Sequence, residues 1–509
     1  MANYQVPGVY VTQSTNNAIT SVSPTTLTVA IVADQATPGT TTDQFIVSVP
    51  ASGLAVGTLS VPTVNITSTS TYASYSGYTV TWASGSATVT GTYGTHFTIS
   101  TTSGISTFAL GSGSAATLPS GNVSVQYGHN WGAYGTFTNQ NAVVNAIGPA
   151  VSGTTIVNPA VLASQFVFQN GANVVKIVPV ARVASGTTAA NSDWNNTLTV
   201  ASSNSNPIYL SNTPADVIVP LHSLAYNGAI ITSGTNSVAA SISSFINTQA
   251  SGGVYQRAFT GTDGTSVSVT LSGMQALASG FNSQRISFCY PPAVNFNPGL
   301  NTSTGLSNAT FNIPGYYVAA ALAGLFVGQQ PDVSTPITNK QVIGFNDIPN
   351  QINLIDAQTS YLPNGILVVR KKNDNNFWVL HGLTTNTPAN GGTWLTQEIS
   401  ISAIGDRLTQ LIRNDLVNSY LVGGPLTKNT SAAVLATVQA TLTNALSSGL
   451  IQAYQNLSFT INPATPTTIN VTFQYAPTYP INYIQVNVSL NTQTGQVVYG
   501  NAQSNFVVY

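Results

Sequence analysis

The stretch NPAVLASQFVFQNGANVVKIVPVA, residues 158–181, contains a helix signal followed at once by a strand signal. Asn158 is a residue type that caps helix N-termini, Pro159 suits the first helical position and Gly171 is a typical helix end, so residues 158–171 predict a helix. The apolar run at 173–181 predicts a buried strand. A helix that leads directly into a buried strand is typical of an α/β architecture.

The same alternation continues on both sides of this stretch. Strands are predicted at 27–34, 216–221, 254–261 and 285–292, and helices at 236–249, around 274–278 and from Tyr316 onward. Strands that alternate with helices predict a mainly parallel sheet that is covered by helices on both faces.

The pattern changes in two other parts of the chain. Between residues 45 and 130, short alternating segments are broken by Gly and Ser, and this pattern predicts an all-β insertion domain. The last third predicts an α+β domain with two helices, one at about 403–421 and one that starts at Thr430 or Ser431, followed by three strands. The predicted organisation is an N-terminal arm and linker (1–26), a central α/β domain (27–44 plus 131–363), the β-rich insertion (45–130), the C-terminal α+β domain (364–491) and a C-terminal arm (492–509).

The composition excludes some classes of protein. Charged residues make up 5% of the 509 residues and the net charge is −1, whereas soluble domains carry about 25% charged residues. No Asp, Glu, Lys or Arg occurs from Gln44 to Val175. Without a basic patch, nucleic acid is not expected as a partner. Hydrophobic residues make up 43%, so we expect a folded chain, and its near-neutral surface suits packing against copies of itself.

The sequence indicates neither secretion nor membrane insertion. No signal peptide is visible, and the longest apolar run, Tyr316–Gly328, is shorter than the roughly 20 residues that span a bilayer. We therefore expect a cytoplasmic, soluble product. The single cysteine, Cys289, lies in an apolar strand pattern and is expected to be an inert core thiol.

No catalytic or metal-binding pattern is present. His96, His129, His222 and His381 are scattered without metal-ligand spacing, and no HExxH, GxSxG, P-loop or GxGxxG occurs. His222 with Asp216 and a serine is a formal triad candidate, but a structural histidine is favoured. We therefore expect no catalytic residue, no metal, no cofactor and no enzyme activity. A β-rich hydrolase is kept as the weakest hypothesis.

Both chain ends carry strand-like segments that have no evident partner. The segment YQVPGVYVTQS, residues 4–14, is followed by a polar linker instead of a returning strand, and TGQVVYGNAQSNFVVY ends the chain. An extended segment of this kind either adds to the sheet edge of another molecule or folds back on its own chain. The residues predicted to make these contacts are Tyr4, Val6, Val9, Tyr10 and Val11, and Val497, Val498, Tyr499, Phe506 and Val507.

Several motifs, taken in order, resemble the contractile phage tail sheath family. They are PGVYV, FVFQNGANVVKIVPV with its Asn170-Gly171 step, GYYVAAALAGLFVG, NGILVVRKK, LHGLTT and the C-terminal region ending in PTYPINYIQVNVSL. The resemblance covers the chain from about Leu27 to Leu490, apart from the insertion. No single motif is decisive, but their order is fairly specific. The low charge content is a departure from the family, which puts electrostatic contacts with a tube in doubt.

This resemblance implies a subunit that stacks in rings around a tail tube and contracts to drive the tube through the host envelope. It implies a subtilisin-like central domain without catalytic machinery, and arms donated to neighbouring subunits. The implied partners are further copies, the tail tube protein, and baseplate and tail terminator proteins, in a virion tail assembled in the host cytoplasm. The alternative is a β-rich surface adhesin, which the Thr/Ser-rich insertion suggests.

The family places its C-terminal domain innermost, which gives a second set of candidate contacts. These possible tube-facing residues are Asp406, Arg407, Gln410, Arg413 and Lys428. The alternative for this set is a solvated helix face with weak pairs along the helix.

Overall fold

The structure is a computed structural model. It describes residues 27–34, 41–49, 59–60, 78–84, 87–90, 97–102, 105–110, 121–129, 135–152, 155–156, 158–180, 191–200, 214–222, 238–265, 269–298, 310–329, 335–419, 427–461, 467–480, 489–490 and 497–498. Most of the predicted arm contacts lie outside these residues, namely Tyr4, Val6, Val9, Tyr10, Val11, Tyr499, Phe506 and Val507.

A nine-stranded sheet forms the centre of the first unit, residues 1–478. In chain order its strands are β1 Thr28–Ala33, β2 Gly135–Phe137, β3 Val174–Pro179, β4 Val217–Pro220, β5 Arg257–Thr260, β6 Ile286–Tyr290, β7 Gln341–Val342, β8 Ile366–Lys371 and β9 Phe377–Val379. Their order across the sheet is β7-β9-β8-β6-β5-β4-β1-β3-β2. The six strands from β8 to β3 run parallel. Strand β9 pairs antiparallel with both β8 and β7, and β2 pairs antiparallel with β3.

Eight α-helices of eight residues or more are described. They are α1 Gln140–Ile147, α2 Pro159–Gln169, α3 Asn191–Val200, α4 Val238–Ser251, α5 Leu271–Phe281, α6 Tyr316–Gly328, α7 Ile399–Asn418 and α8 Lys428–Ser447. Short helical turns lie at Leu354–Asp356, Ala357–Tyr361, Leu362–Asn364 and Pro388–Asn390. None of the described helices is both long enough and apolar enough to cross a bilayer.

Helices cover both faces of the sheet, as the alternating pattern predicted. Val29 and Ile31 of β1 belong to one apolar core together with residues of α1, α2 and α6. Ala30 and Val32 belong to the opposite core, together with residues of α3, α4 and α5. Successive residues of a strand point to opposite faces, so a strand buried on both faces is apolar throughout. The mixed α/β fold predicted from the sequence is confirmed.

Helix α2 begins where the sequence predicted, but its capping differs. Asn158 precedes α2 and its side chain makes no capping hydrogen bond. Instead its Nδ2 donates to the Pro149 carbonyl at 2.6 Å. At the other end, Asn170 Nδ2 donates to the Ile343 carbonyl and Asn170 Oδ1 accepts from the Ile343 backbone N–H, both at 2.9 Å. The Asn170 side chain therefore ties α2 to the backbone just after edge strand β7.

Helices α2 and α6 approach each other closely because glycines line the contact. A Cβ built at Gly324 would lie 2.8 Å from Val167 Cα, and one at Gly328 would lie 2.8 Å from Gly171 Cα. Gly171 itself has a φ of +108°, a conformation that favours glycine. The Asn170-Gly171 step and the apolar 316–328 segment, both noted in the sequence, thus meet at one helix crossing.

The described strands between residues 41 and 129 are all antiparallel. One sheet has the order Thr41–Val49, Gly121–His129, Tyr78–Ser84, Ala87–Thr90, and a second has the order Leu59–Ser60, Ile105–Leu110, Phe97–Thr102. The first strand pairs along its whole length, from Thr41 opposite His129 to Val49 opposite Gly121. It crosses the predicted domain boundary at residue 45, so the β-rich sheet starts at Thr41.

Three further strand pairs complete the first unit. They are Val151–Ser152 with Thr155–Ile156, Ala293–Phe296 with Phe311–Pro314, and Ile451–Ile461 with Ile469–Pro477.

Residues 479–509 form a second unit. In it Ser489–Leu490 pairs antiparallel with Val497–Val498. Two of the predicted arm residues, Val497 and Val498, thus have a partner strand within the chain. Most of the third strand predicted for the C-terminal domain lies outside the described residues.

Candidate functional site: the C-terminal helices and hairpin

Helix α7 carries most of the residues predicted to face a tube, and it packs against the sheet of its own chain. The carboxylate of Asp406 accepts from two arginines: Oδ2 lies 2.6 Å from Arg257 Nη2, and Oδ1 lies 2.6 Å from Arg285 Nη2. Arg257 opens β5 and Arg285 directly precedes β6. Because β5 and β6 are parallel, their first residues lie at the same edge of the sheet, where a single carboxylate reaches both guanidinium groups.

This cluster is buried and hydrogen-bonded. Asp406 is 6% exposed, as is Arg257, and Arg257 Nη1 also donates to Ser402 Oγ at 2.9 Å. Burial lowers the pKa of Arg257 to about 10, although the nearby Asp406 carboxylate opposes that shift. A complete buried ion pair adds little to the stability of the fold, but removal of one partner typically lowers the free energy of unfolding by about 3–5 kcal/mol. The structure therefore corrects the prediction at Asp406, whose carboxylate is buried within the subunit instead of facing outward.

A second acidic group lies at the same edge of the sheet. Asp216 Oδ2 accepts from the Thr28 backbone N–H at 2.8 Å, at the point where β1 and β4 begin. Burial raises the pKa of Asp216 to about 6, while that hydrogen bond, Arg407 and Lys176 oppose the increase. Arg407 of α7 thus interacts electrostatically with its own sheet.

Arg413 makes a third connection from α7. Its Nη1 donates to the carbonyls of Gly252 at 3.3 Å and Gly253 at 3.1 Å, in the turn after α4. Gln410 lies half-buried on the same helix, and Lys428 is the first residue of α8. The side chain of Lys428 lies outside what the structure describes. Three of the five predicted residues, Asp406, Arg407 and Arg413, therefore interact with the nine-stranded sheet or the turn after α4 of their own chain.

One feature of the sequence points to this cluster. Arg285 opens one predicted strand, Arg257 lies within the preceding one, and charged residues are scarce in this chain. Neighbouring parallel strands can place two such residues side by side, so these two arginines were candidates to share a carboxylate.

Helices α7 and α8 and the hairpin form their own small core. Its buried residues are Leu408, Ile412, Val438, Leu442, Ala445 and Ile451. Thr427 caps α8 by accepting from the Thr430 backbone N–H at 3.1 Å. Asp415 Oδ2 accepts from Thr441 Oγ1 at 2.6 Å and joins the two helices. The two-helix arrangement predicted for this region is present, with starts at Ile399 and Lys428.

The hairpin, Ile451–Ile461 with Ile469–Pro477, exposes uncharged polar side chains. Ser458 and Thr472 share a hydrogen bond at 2.9 Å across the two strands, and Gln474 Oε1 accepts from Asn456 Nδ2 at 2.8 Å. Within the described part of the chain, the hairpin pairs with no third strand. Exposed strand edges of this kind are templates for pairing with another chain unless charges or prolines protect them.

Two of the four histidines, His222 and His381, and the cysteine pack or pair within the fold, whereas the side chains of His96 and His129 lie outside what the structure describes. The ring of His222 packs edge-on against Trp194, with ring centroids 4.8 Å apart. His381 lies in a loop, where its Nε2 pairs with Glu398 Oε1. Cys289 is buried in β6, and burial raises the pKa of its thiol. Within the described residues, no group of three or more His, Cys, Asp or Glu side chains is placed to hold a metal ion.

The fold just described is similar to that of a solved contractile sheath subunit. It is similar to the sheath of an extracellular contractile injection system, the PVC sheath complex in its contracted state, with a TM-score of 0.51 and 10% identity over 97% of this chain and 99% of that one. The contracted helical sheath of the anti-feeding prophage gives a TM-score of 0.49 and 11% identity over 96% and 100% of the two chains. The sheath tail protein of Listeria innocua gives 0.45 and 13% identity over 90% and 96%.

At the sequence level, this chain is similar to a phage tail sheath protein. It is 28% identical to the tail sheath protein of Mycobacterium phage Bxz1 over 272 residues, which is 53% of this chain. The match spans 44% of that relative, less than half its length. No family model matches the chain. The resemblance to the contractile tail sheath family that the motifs predicted is confirmed by the sequence match.

Proposed function

We propose that this protein is the structural subunit of a contractile tail sheath, which polymerises around a tail tube and contracts to drive the tube through the host envelope. The observation that carries the proposal is the 28% identity to a tail sheath protein over 272 residues. The contractile-sheath fold agrees with it. An adhesin, the alternative suggested by the β-rich insertion, has no comparable support.

The finer features of the proposal concern the architecture. The central domain is proposed to be subtilisin-like, and six parallel strands with helices on both faces support this. The catalytic machinery is proposed to be absent, and the structural surroundings of His222 and His381 support that. The division into central, inserted and C-terminal domains is proposed with the insertion starting at Thr41.

The proposed partners are further copies of the chain, a tail tube protein, and baseplate and tail terminator proteins. The proposed location is the virion tail, with assembly in the host cytoplasm. Contraction is proposed to release energy stored in a metastable extended sheath, with more surface buried between subunits after contraction. About 200 Å² of additional apolar burial per subunit corresponds to about 5 kcal/mol.

We propose that the arms of one subunit complete the hairpin of a neighbouring subunit. The hairpin has two strands and no third partner among the described residues, so its edges are suited to strand addition. The segment at residues 4–14 has the β-branched and aromatic residues of such a strand. Because Val497–Val498 pairs with Ser489–Leu490, we propose that the C-terminal arm joins the neighbouring subunit's sheet as a short hairpin.

The surface that faces a tube is proposed to include Gln410 and Lys428. Arg407 and Arg413 are shared between that surface and the contacts with the central domain.

Electron microscopy of negatively stained, purified protein tests the main proposal. A sheath subunit is expected to form tubes, whereas an adhesin or hydrolase forms discrete particles. Deletion of residues 1–14 is expected to abolish the tubes while leaving the circular dichroism spectrum of the subunit unchanged. Tubes that persist after this deletion would show that the N-terminal arm is not what joins the subunits.

A further inference from the structure

Within the part of the chain that the structure describes, most charged side chains have a partner in their own subunit. Asp406 holds Arg257 and Arg285, and Lys371 Nζ lies 3.0 Å from Asp347 Oδ1. Other pairs use polar groups of the same chain: Lys372 with Asn339, Arg370 with the Ile352 carbonyl, Asp356 with Asn353, Asp263 with Thr265, Asp374 with Trp378 and Asp415 with Thr441.

These partners within the subunit reduce the free energy that an ion pair with another molecule would contribute to association. A charge that already has a partner must give it up, or share it, before it binds a second molecule. An exposed pair contributes only about 0–1 kcal/mol even when both charges are available. Charges that are satisfied within the subunit are therefore poor contributors to contacts between subunits.

The regions proposed to join subunits contain almost no charge. From Asn429 to Tyr509 the chain has no Asp, Glu, Lys, Arg or His, and this span includes the hairpin and the C-terminal arm. The N-terminal arm, residues 1–26, has no charged side chain either. Strand edges are normally protected by lysines or inward-pointing charges, and this hairpin has neither. The exposed polar groups of the hairpin are amides and hydroxyls, such as Gln474 and Thr472, and Ile461 is an exposed apolar side chain.

We infer that this chain assembles with copies of itself through contacts that contain no ion pairs, by means of backbone, amide and hydroxyl hydrogen bonds and apolar burial. The inference rests on the proposed function, because it concerns contacts within the sheath. If the contacts between subunits contain no ion pairs, salt has almost no charge pairs to screen there, and the strength of assembly should hardly depend on salt concentration.

The critical concentration for tube formation, measured by sedimentation and electron microscopy across NaCl concentrations, tests the inference. Between about 0.05 M and about 1 M NaCl the Debye length falls from about 14 Å to about 3 Å, so ion pairs at exposed interfaces are largely screened. We expect the critical concentration to change by less than about twofold. An increase of about tenfold or more with salt would overturn the inference while leaving the sheath function intact. Absence of tubes at every salt concentration would overturn the proposed function, and the inference with it.

Two sets of variants sharpen this test. Lys340→Gln and Lys372→Gln neutralise exposed lysines outside the buried cluster, and both are expected to keep the wild-type critical concentration and its flat salt response. Gln474→Lys introduces a charge on the hairpin in every subunit. It is expected to raise the critical concentration at low salt, with partial recovery at high salt, while Gln474→Met, of similar length without charge, keeps a flat salt response. Salt-dependent loss of assembly on neutralising either lysine, or a wild-type response of Gln474→Lys, would contradict the inference.

Discussion

Asp406 of α7 reaches the edge of the central sheet, where its carboxylate Oδ2 lies 2.6 Å from Nη2 of Arg257. The two residues are separated by 149 positions in the sequence. In a chain with only 11 basic and 12 acidic residues, this contact uses one of each in the interior. The cluster fixes α7, and with it the C-terminal core, onto the strands that carry the arginines. We therefore expect the central domain and α7 to unfold together.

Replacement of Asp406 by Asn tests this connection. The substitution leaves two buried guanidinium groups without a counter-charge, and we expect the free energy of unfolding to fall by about 3–5 kcal/mol. Urea unfolding of unassembled protein, followed by circular dichroism, measures the change. Asp347→Asn is the matched control: it removes the exposed pair with Lys371, and we expect a loss of less than about 1 kcal/mol. Equal effects of the two substitutions would show that burial of the Asp406 cluster does not matter.

Asp216 gives the protein a predictable response to pH. Its pKa in the folded protein is about 6, above the ordinary value of 3.8, so the folded state binds this proton more tightly than the unfolded state does. Its contribution to stability is therefore complete below about pH 4 and is lost as the pH rises through about 6. The loss is on the order of 3 kcal/mol, since one pKa unit corresponds to about 1.4 kcal/mol.

Asp216→Asn removes this titration while retaining an oxygen that accepts from the Thr28 backbone N–H. The wild type is expected to lose stability relative to this variant between pH 4 and pH 6, measured as the difference in urea midpoints. Asp347→Asn serves as the control and is expected to keep the wild-type slope in that range. If the stability of the wild type and of Asp216→Asn changed with pH in parallel, the raised pKa of Asp216 would not be the cause of the pH dependence.

Most strands and helices were predictable from the sequence because each depends on the spacing of apolar residues within one short segment. The strand predicted at 27–34 is Thr28–Ala33, and the strand predicted at 216–221 is Val217–Pro220. Helix α7 starts at Ile399, before the predicted start at about 403. Residues 399–406 are all buried, so the first turns have no contrast between a polar and an apolar face.

The candidate site was harder to predict because its contacts are distant in sequence. Arg257 and Arg285 lie 149 and 121 positions from Asp406. No spacing rule relates positions that far apart, and the charges on α7 had two plausible uses, a tube-facing surface or a solvated face. The structure supplies a third use, contact with the subunit's own sheet. This third use follows from the order of strands in the sheet, which places Arg257 and Arg285 side by side.

Asn170 allows a test of how α2 is held at the edge of the sheet. Its side chain donates to the Phe166 carbonyl at 2.8 Å and bonds both backbone groups of Ile343. Asn170→Ala removes the side-chain partners of both Ile343 backbone groups, whereas the Phe166 carbonyl still accepts from the residue-170 backbone N–H. We expect a loss of about 1–3 kcal/mol in the free energy of unfolding. Gln169→Ala, an exposed substitution on the same helix, is the control and should change stability by less than about 0.5 kcal/mol. A loss for Asn170→Ala no larger than the control's would show that these hydrogen bonds add nothing.

Gly324 tests the close crossing of α2 and α6. A methyl group at this position would overlap the Val167 carbonyl oxygen and lie 2.8 Å from Val167 Cα, and both are backbone atoms that cannot rotate away. Gly324→Ala must therefore separate the two helices, and we expect a loss of about 1–3 kcal/mol, measured by urea unfolding, despite the better helix propensity of alanine. Gly252→Ala is the matched control, because its nearest neighbour, the Gln249 carbonyl oxygen, would lie at an ordinary 3.4 Å. If Gly324→Ala were as stable as wild type, α2 and α6 would not be in close contact at this point.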